Sequence, residues 1–221
     1  MLEYTFENEV ISKGYSLVCG VDEAGRGPLM GPVYAAAVIL PAGLVIDGLN
    51  DSKKLSEKKR EALYGVITAN AVAYGVGSAS VEEIDEINIL NAALLAMNRA
   101  IEQLDPKADF AIIDGNCKRS IKIPCMTLVG SDAKCPSVAA ASILAKVSRD
   151  RLCYELDEKY PQYGFAKHKG YPTRDHMLAV YESGPSPVHR KSFLGFLEKD
   201  RDKLEAELQE KQQMRKLWIG D

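Results

Sequence analysis

The chain has 221 residues, 46% hydrophobic and 27% charged, with a formal net charge of −3 and a pI near 5.7. It is long enough to bury a sizeable core, and its overall charge does not announce a nucleic-acid binder, although patches rather than totals do such binding. Five cysteines without a C-x-x-C spacing, and three histidines outside any zinc pattern, argue against a disulfide framework and structural zinc. The thiols read as reduced cysteines of a cytoplasmic protein, with Cys19 and Cys153 as buried packing. No leader-like segment is evident, and the apolar stretch from Leu29 to Val45 is broken by Pro32 and Pro41, so no membrane span is expected.

Taken in order, residues 15–22 read as a strand, and residues 33–40, bracketed by Pro32 and Pro41, as a second. Ser56 is a candidate N-cap for a helix reaching about Thr68. Residues 71–79 read as a third strand, and Ser80-Val81-Glu82-Glu83 has capping-box spacing that opens a short helix. Residues 88–104 form an amphipathic helix with Ile89, Leu90, Ala93, Leu94, Met97 and Ile101 on one face, closed by Pro106. Phe110-Ala111-Ile112-Ile113 is a short continuous apolar strand suited to a sheet covered on both faces. Another strand is expected between Ile121 and Val129. From Ser137 onward the chain turns helical: Val138 to about Lys159, Thr173 to Glu182, and one or two helices between Ser192 and Leu217. The pattern predicts an α/β fold, a mixed sheet flanked by helices with a helical C-terminal part. The domain expectation is an α/β core over 1–136 and a helical part over 137–221, packed as one continuous catalytic domain.

The chemistry concentrates where strands end. Asp22-Glu23 closes an apolar run and is followed by Gly25-Arg26-Gly27. Side chains alternate along a strand, so the two carboxylates share an edge if the strand stops at Asp22. Two buried adjacent carboxylates cost several kcal/mol unless compensated, usually by a divalent cation. The glycines allow close approach of backbone to a ligand, and Arg26 suits an anion such as phosphate. A solvated acidic pair before a tight turn is the plainer reading of Asp-Glu beside Gly. Asp114 likewise ends an apolar strand and precedes Gly115, although Asp-Gly is also an ordinary turn pair. Asp132 follows before the long helix. Asp150, inside that helix among Ser148, Arg149 and Arg151, reads as a structural ion-pair residue. Carboxylates without a histidine set suit Mg²⁺ or Mn²⁺. Two such ions about 4 Å apart can clamp a phosphate, activate water and stabilise a leaving oxygen, which points to phosphodiester hydrolysis. No P-loop, Ser-His-Asp arrangement or dinucleotide fingerprint is present. Basic residues cluster at Lys53-Lys54 with Lys58-Lys59-Arg60, at Lys118-Arg119 with Lys122, at Lys167, Lys169 and Arg174, and at Arg190-Lys191. Each cluster alone reads as a solvated face.

Six segments in order resemble the ribonuclease HII (type 2 ribonuclease H) family, over about Tyr15 to Phe196. They are Gly20-Val21-Asp22-Glu23-Ala24-Gly25-Arg26-Gly27-Pro28, Asp51-Ser52-Lys53-Lys54-Leu55-Ser56, Ile87-Asn88-Ile89-Leu90-Asn91-Ala92, Ile113-Asp114-Gly115-Asn116, the run Ala140 to Val147 with Arg149-Asp150, and His168-Lys169-Gly170-Tyr171-Pro172-Thr173. The resemblance implies a ribonuclease H-like fold. It implies a metal-dependent endoribonuclease that hydrolyses the RNA strand of RNA–DNA hybrids and nicks 5′ to a single ribonucleotide in duplex DNA, leaving 3′-hydroxyl and 5′-phosphate ends. It places the metal-binding acids on Asp22, Glu23, Asp114 and Asp132, with two Mg²⁺ or Mn²⁺ ions in catalysis. Gly25, Arg26 and Gly27 would read the 2′-hydroxyl, the feature that separates RNA from DNA, and Tyr171 would stack on the junction sugar. Lys53, Lys54, Ser142 and Lys146 would meet backbone phosphates. The expected partners are RNA–DNA hybrid and ribonucleotide-containing duplex DNA, with the protein a monomer and no membrane involved. Ser131 stands where many relatives have Gly, and Cys135-Pro136 stiffens the approach to the next helix. With the acidic motif beginning at residue 22, an N-terminal extension of the kind some relatives carry is not expected. Its charged segment 197–221, with the lone Trp218, reads as a solvated helix or a docking element, and shows no clear clamp-binding peptide of the kind some relatives use.

Overall fold

The computed structural model describes residues 2–219, without the side chains of 212 and 215–219, so Trp218 lies outside the described side chains. The elements are α1 (Thr5–Ser12), β1 (Val18–Ala24), β2 (Val33–Ile39), α2 (Glu57–Asn70), β3 (Ala73–Ala79), α3 (Val81–Glu102), β4 (Phe110–Asp114), β5 (Cys125–Leu128), α4 (Pro136–Lys159), α5 (Phe165–His168), α6 (Arg174–Ser183), α7 (Phe196–Lys199) and α8 (Arg201–Ile219). The chain divides into two compact units, one of residues 1–26 and 32–151 and one of 27–31 and 152–221. The expected 136/137 boundary coincides with the start of α4, most of which belongs to the first unit.

The first unit is built on a mixed five-stranded sheet in the order β3-β2-β1-β4-β5. The chain folds back antiparallel from β1 through β2 to β3, whereas β4 and β5 run parallel to β1. Ala36 and Val38 of β2 pack against Ala140, Ala141, Ile143 and Leu144 of α4, forming a buried layer with Leu63 and Ile67 of α2. Small side chains let elements approach closely. A Cβ on Gly20 would stand 2.2 Å from backbone atoms of Ser137 and Val138, so α4 starts directly on β1. Gly75 and Gly77 of β3 meet the Ala100 and Ala96 carbonyls in the same way. Ala93, Leu94, Met97 and Ile101 of the expected stripe are buried, and the close approach adds alanines to that face. Ala92, Ala96 and Ala100 are fully buried, while Leu90 is 36% exposed.

Local sequence accounts for the helix starts. Ser56 and Ser80 cap α2 and α3, the latter with a full capping box through Glu83. The expected division between a short helix and a longer one falls at Asn88. Its backbone has φ +65°, and its side-chain oxygen accepts from the Leu90 and Asn91 amides, capping the second stretch. Helix α1, not anticipated from the sequence, contributes Glu7, whose buried carboxylate accepts from the Ser137 amide and hydroxyl at 3.1 and 2.9 Å. A carboxylate from a distant helix therefore occupies the amino end of α4, where partial positive charge gathers.

In the second unit, Met30, Cys153, Tyr163, Phe165, Val180 and Leu194 form the core. The buried guanidinium of Arg190 donates to the Gly31 and Pro28 carbonyls at 2.9 and 2.8 Å, and the Leu29 amide donates to Gly170 O at 2.8 Å. These bonds fasten 27–31 to the unit. The segment after Leu197 is largely helical: α8 buries Leu204, and Glu207 and Lys211 pair with Arg174 and Asp175 of α6. Among the described residues, no helix is long and apolar enough to cross a membrane.

Candidate active site

The parallel register of β1 and β4 pairs Val21 with Ile113, which brings the following residues, Asp22 and Asp114, to neighbouring positions at one edge of the sheet. β1 does not stop at Asp22 as expected. It continues through Glu23 and Ala24, held by pairing to Ala35 and Tyr34 of β2. Asp22 is therefore buried, at 6% exposure, while Glu23 is half-buried and pairs through Oε1 with Arg26 at 3.1 Å. Burial, then the charges of Glu23 and Asp114, push the Asp22 carboxyl well above the usual carboxylate range. The Ser142 hydroxyl and the Glu23 amide hydrogen-bond to it and oppose that shift.

Asp114 is held from the loop before α4. Ser131 donates both its amide and its hydroxyl to Asp114 Oδ1, at 2.8 and 2.9 Å. The serine that departs from the family pattern thus supplies a bond that glycine lacks. Asp132 sits in the same 3₁₀ turn at 5% exposure. Burial, then the charges of Asp51 and Asp114, raise its pKa, and a hydrogen bond shared with Asp51 adds to this. Asp51 is a fifth carboxylate that strand-end reasoning missed, although it opens the Asp51-Ser52-Lys53-Lys54 segment.

Lys53 is the cation among these acids. Partial desolvation lowers its pKa, but the charges of Asp22, Asp132, Asp51 and Asp114 outweigh that and raise it. Ser142 and Lys146 are placed otherwise than expected for phosphate contacts. Ser142 is 4% exposed and bonds to Ser52 Oγ at 2.8 Å as well as to Asp22, because it faces inward from α4. Lys146 Nζ binds Asp150 Oδ1 at 2.6 Å, and Asp150 also faces Arg60 at 3.7 Å, which fits the structural reading of Asp150.

The Gly-Arg-Gly turn is divided between the units. Gly25 has φ +97°, and a Cβ there would stand 2.3 Å from the Arg149 side chain, so only glycine fits. Gly27 lies beside Tyr171, a Cβ at Gly27 falling 3.5 Å from its ring. Two residues singled out for substrate recognition are thus neighbours within the second unit. Tyr171 is 43% exposed. Its loop rests on the three histidines, which sequence spacing gave no reason to group. His176 Nδ1 lies 3.0 Å from Tyr171 O, and the His168 and His176 rings stack at 4.4 Å.

The donor set is carboxylate oxygen, without nitrogen or sulfur, which suits a hard divalent cation. A buried carboxylate whose ionisation is opposed by two neighbouring charges gains from such an ion. Among the described residues, no three His, Cys, Asp or Glu side chains converge tightly enough to hold a metal as they stand. The acids share one edge of the sheet rather than a closed cage.

Residues 19–195 match the family model for ribonuclease HII. The chain is 57% identical to ribonuclease HII of Dechloromonas aromatica over 80% of this chain and 90% of that protein, and 52% identical to that of Ruminiclostridium cellulolyticum over 86% and 74%. Among solved structures, ribonuclease H2 from Pyrococcus horikoshii superposes with a TM-score of 0.69 at 26% identity, covering 86% of this chain and 99% of that one.

Proposed function

This chain belongs to the ribonuclease HII family, and from that premise we propose that it hydrolyses the RNA strand of RNA–DNA hybrids and nicks duplex DNA 5′ to a single ribonucleotide. The products are 3′-hydroxyl and 5′-phosphate ends. The observation that carries the reading is the β1–β4 register, which sets Asp22 beside Asp114 with Asp22 buried at 6% exposure.

Asp22, Glu23, Asp114 and Asp132 are the groups that would hold Mg²⁺ or Mn²⁺. When bound, two such ions supply a polarised water and a stabilised leaving oxygen. The protein's own residues position the reaction. Ser131 holds Asp114 by two bonds to one oxygen, which leaves its other oxygen for the cation. Ser142 holds Asp22 from behind. Lys53, drawn to the acids, and Lys54 meet the substrate phosphates through sequence-blind contacts. Gly25, Arg26 and Gly27 present backbone to the 2′-hydroxyl, and the exposed ring of Tyr171 stacks on the sugar at the junction. The enzyme acts as a cytoplasmic monomer, for which a single sedimentation species near 24.2 kDa is expected.

The test is cleavage of a labelled DNA duplex carrying one ribonucleotide, beside an all-DNA control, with Mg²⁺, Mn²⁺ or EDTA. Metal-dependent nicking 5′ to the ribonucleotide alone supports the reading. Cutting of both duplexes replaces it with a general nuclease, and binding without cutting in any metal replaces it with a hybrid-binding module.

A further inference from the structure

A groove of about 790 Å³ opens beside the carboxylates in the first unit, lined in part by Arg26, Asn116, Cys117, Lys118, Arg119 and Cys125. It is continuous with the site at two points. Arg26 pairs with Glu23 at 3.1 Å, and Asn116 is two residues past Asp114 on the loop leaving β4. Among the described residues, no carboxylate lines it. Beyond Arg26, the two cations Lys118 and Arg119 are not paired with an acid among the described residues. Lys118 Nζ donates to the Cys125 carbonyl at 3.1 Å, and among the described residues no carboxylate pairs with it. Arg119 is exposed and has no partner among the described residues. Nearby Lys122, by contrast, is taken by Glu102 at 2.6 Å.

We propose that this groove is a second phosphate-backbone subsite, in which Lys118 and Arg119 bind phosphates of the nucleic-acid strand as it leaves the carboxylate edge. The inference rests on the nuclease reading above and extends it to residues outside the segments that carry the family resemblance. The chemistry follows from the lining: exposed, unneutralised cations with a side-chain amide and no acids suit a polyanion. Lys118 stands four residues on from Asp114, at most about 14 Å of extended chain. Each strand of a duplex advances about 3.4 Å per nucleotide, so the phosphates bound there lie within about four nucleotide steps of the cut.

The experiment compares the wild-type protein with a Lys118→Glu/Arg119→Glu variant on the single-ribonucleotide duplex across a salt series. The expected result is a KM raised about tenfold at moderate salt with kcat within twofold. The plot of log kcat/KM against log salt should flatten by about 0.9 for each phosphate that the variant no longer binds. Duplexes ending within about four nucleotides of the ribonucleotide on the groove side should no longer distinguish the two proteins. Lys13→Glu, a reversal at the residue that follows α1, controls for net charge. If it changes the salt slope as much as the double variant does, or if the double variant matches wild type, the subsite is overturned while the nuclease reading stands. Failure of the wild-type protein to cut the duplex would instead remove the nuclease reading. A second measurement does not depend on folding of the charge-reversed protein. In an Asp114→Asn variant, which the nuclease reading expects to cleave slowly with Mg²⁺, saturating duplex should retard alkylation of Cys117 several-fold, and an unchanged rate also overturns the subsite.

Discussion

His176 Nε2 lies 3.1 Å from His189 Nε2, and the bonds on either side fix which ring carries which proton. The Ser186 amide donates to His189 Nδ1 at 3.0 Å, so that nitrogen is an acceptor and Nε2 bears the hydrogen. His189 Nε2–H therefore donates to His176 Nε2, and His176 Nδ1–H donates to the Tyr171 carbonyl at 3.0 Å. The tautomers follow from the network. The chain of bonds runs in one direction from Ser186 to the Tyr171 loop, and it holds only while both rings are neutral.

Stability should therefore fall on mild acidification. Burial pushes both His176 and His189 down to about 4, from 6.5 in the unfolded chain. Between these values the unfolded state binds more protons than the folded one, so stability rises with pH through this window and is lost as pH falls through it. The two groups together should cost on the order of 3 kcal/mol between pH 6.5 and pH 5. Urea unfolding at stepped pH measures this directly. His189→Phe should flatten the pH dependence even if it lowers stability overall, and an unchanged slope would remove the histidine pair as its source.

Asp22 should trade stability for activity. Its raised pKa means that the metal-free protein loses stability as pH rises through the folded carboxyl's titration, because the ionised form is buried beside Glu23 and Asp114. Asp22→Asn removes that charge, and its amide can keep a bond to Ser142. It should be more stable by about 1–2 kcal/mol at pH 8 in EDTA, while kcat falls roughly 10³-fold or more. Added Mg²⁺ or Mn²⁺ should raise the wild-type Tm, and EDTA should reverse the shift. An equal metal-induced rise in Asp22→Asn would detach this residue from the cation.

Ser131 should matter through Asp114 alone. Ser131→Gly keeps the amide bond to Oδ1 but loses the hydroxyl bond at 2.9 Å. A neutral bond to a charged acceptor is worth about 1.5–3 kcal/mol at most, and the surviving amide limits the loss. A fall in kcat of about three- to tenfold is expected, with KM unchanged and half-maximal activity shifted to higher metal concentration. A metal dependence identical to that of wild type would show that Ser131 does not position Asp114.

The sheet was readable because its strands are short apolar runs between Pro, Gly and Asp. β2, β3 and β4 match their expected spans closely. The end of β4 could be found because a carboxylate interrupts its run. The end of β1 itself could not, since pairing of Glu23 and Ala24 to β2 carries the strand past Asp22. What local pattern does not encode is contact across the chain. The Ser131–Asp114 bonds, the meeting of Asp51 with Asp132, and the inward turn of Ser142 depend on how α4 seats on the sheet. The histidines, spaced at 168, 176 and 189, carry no metal pattern and become a unit only through folding. Helix α1 was missed because its stability comes from docking Glu7 and Val10 rather than from propensity.

Gly20 should prove more demanding than the glycines of the motif beside it. It lies two residues before Asp22 on β1, and the first turn of α4 packs directly over it. A Cβ would meet the Ser137 carbonyl carbon and the Val138 amide nitrogen, both at 2.2 Å. These are backbone atoms whose positions are set by the helix and by the Glu7 cap, so they cannot swing aside as a flexible side chain would. Gly20→Ala should destabilise the protein by about 3 kcal/mol, the upper part of the range for overpacking. The displacement also reaches the site, because lifting α4 from β1 moves the turn that carries Ser131 and Asp132. Activity of the folded fraction should therefore fall, with metal affinity weakened more than hybrid binding. Gly65 in α2 gives the contrast: nothing lies within 4 Å of a Cβ there, and Gly65→Ala should stabilise by about 0.5–1 kcal/mol without touching activity. Chemical unfolding of both variants, with turnover normalised to folded protein, decides the matter. A Gly20→Ala protein as stable and active as wild type would mean that α4 does not hold the carboxylate edge in place.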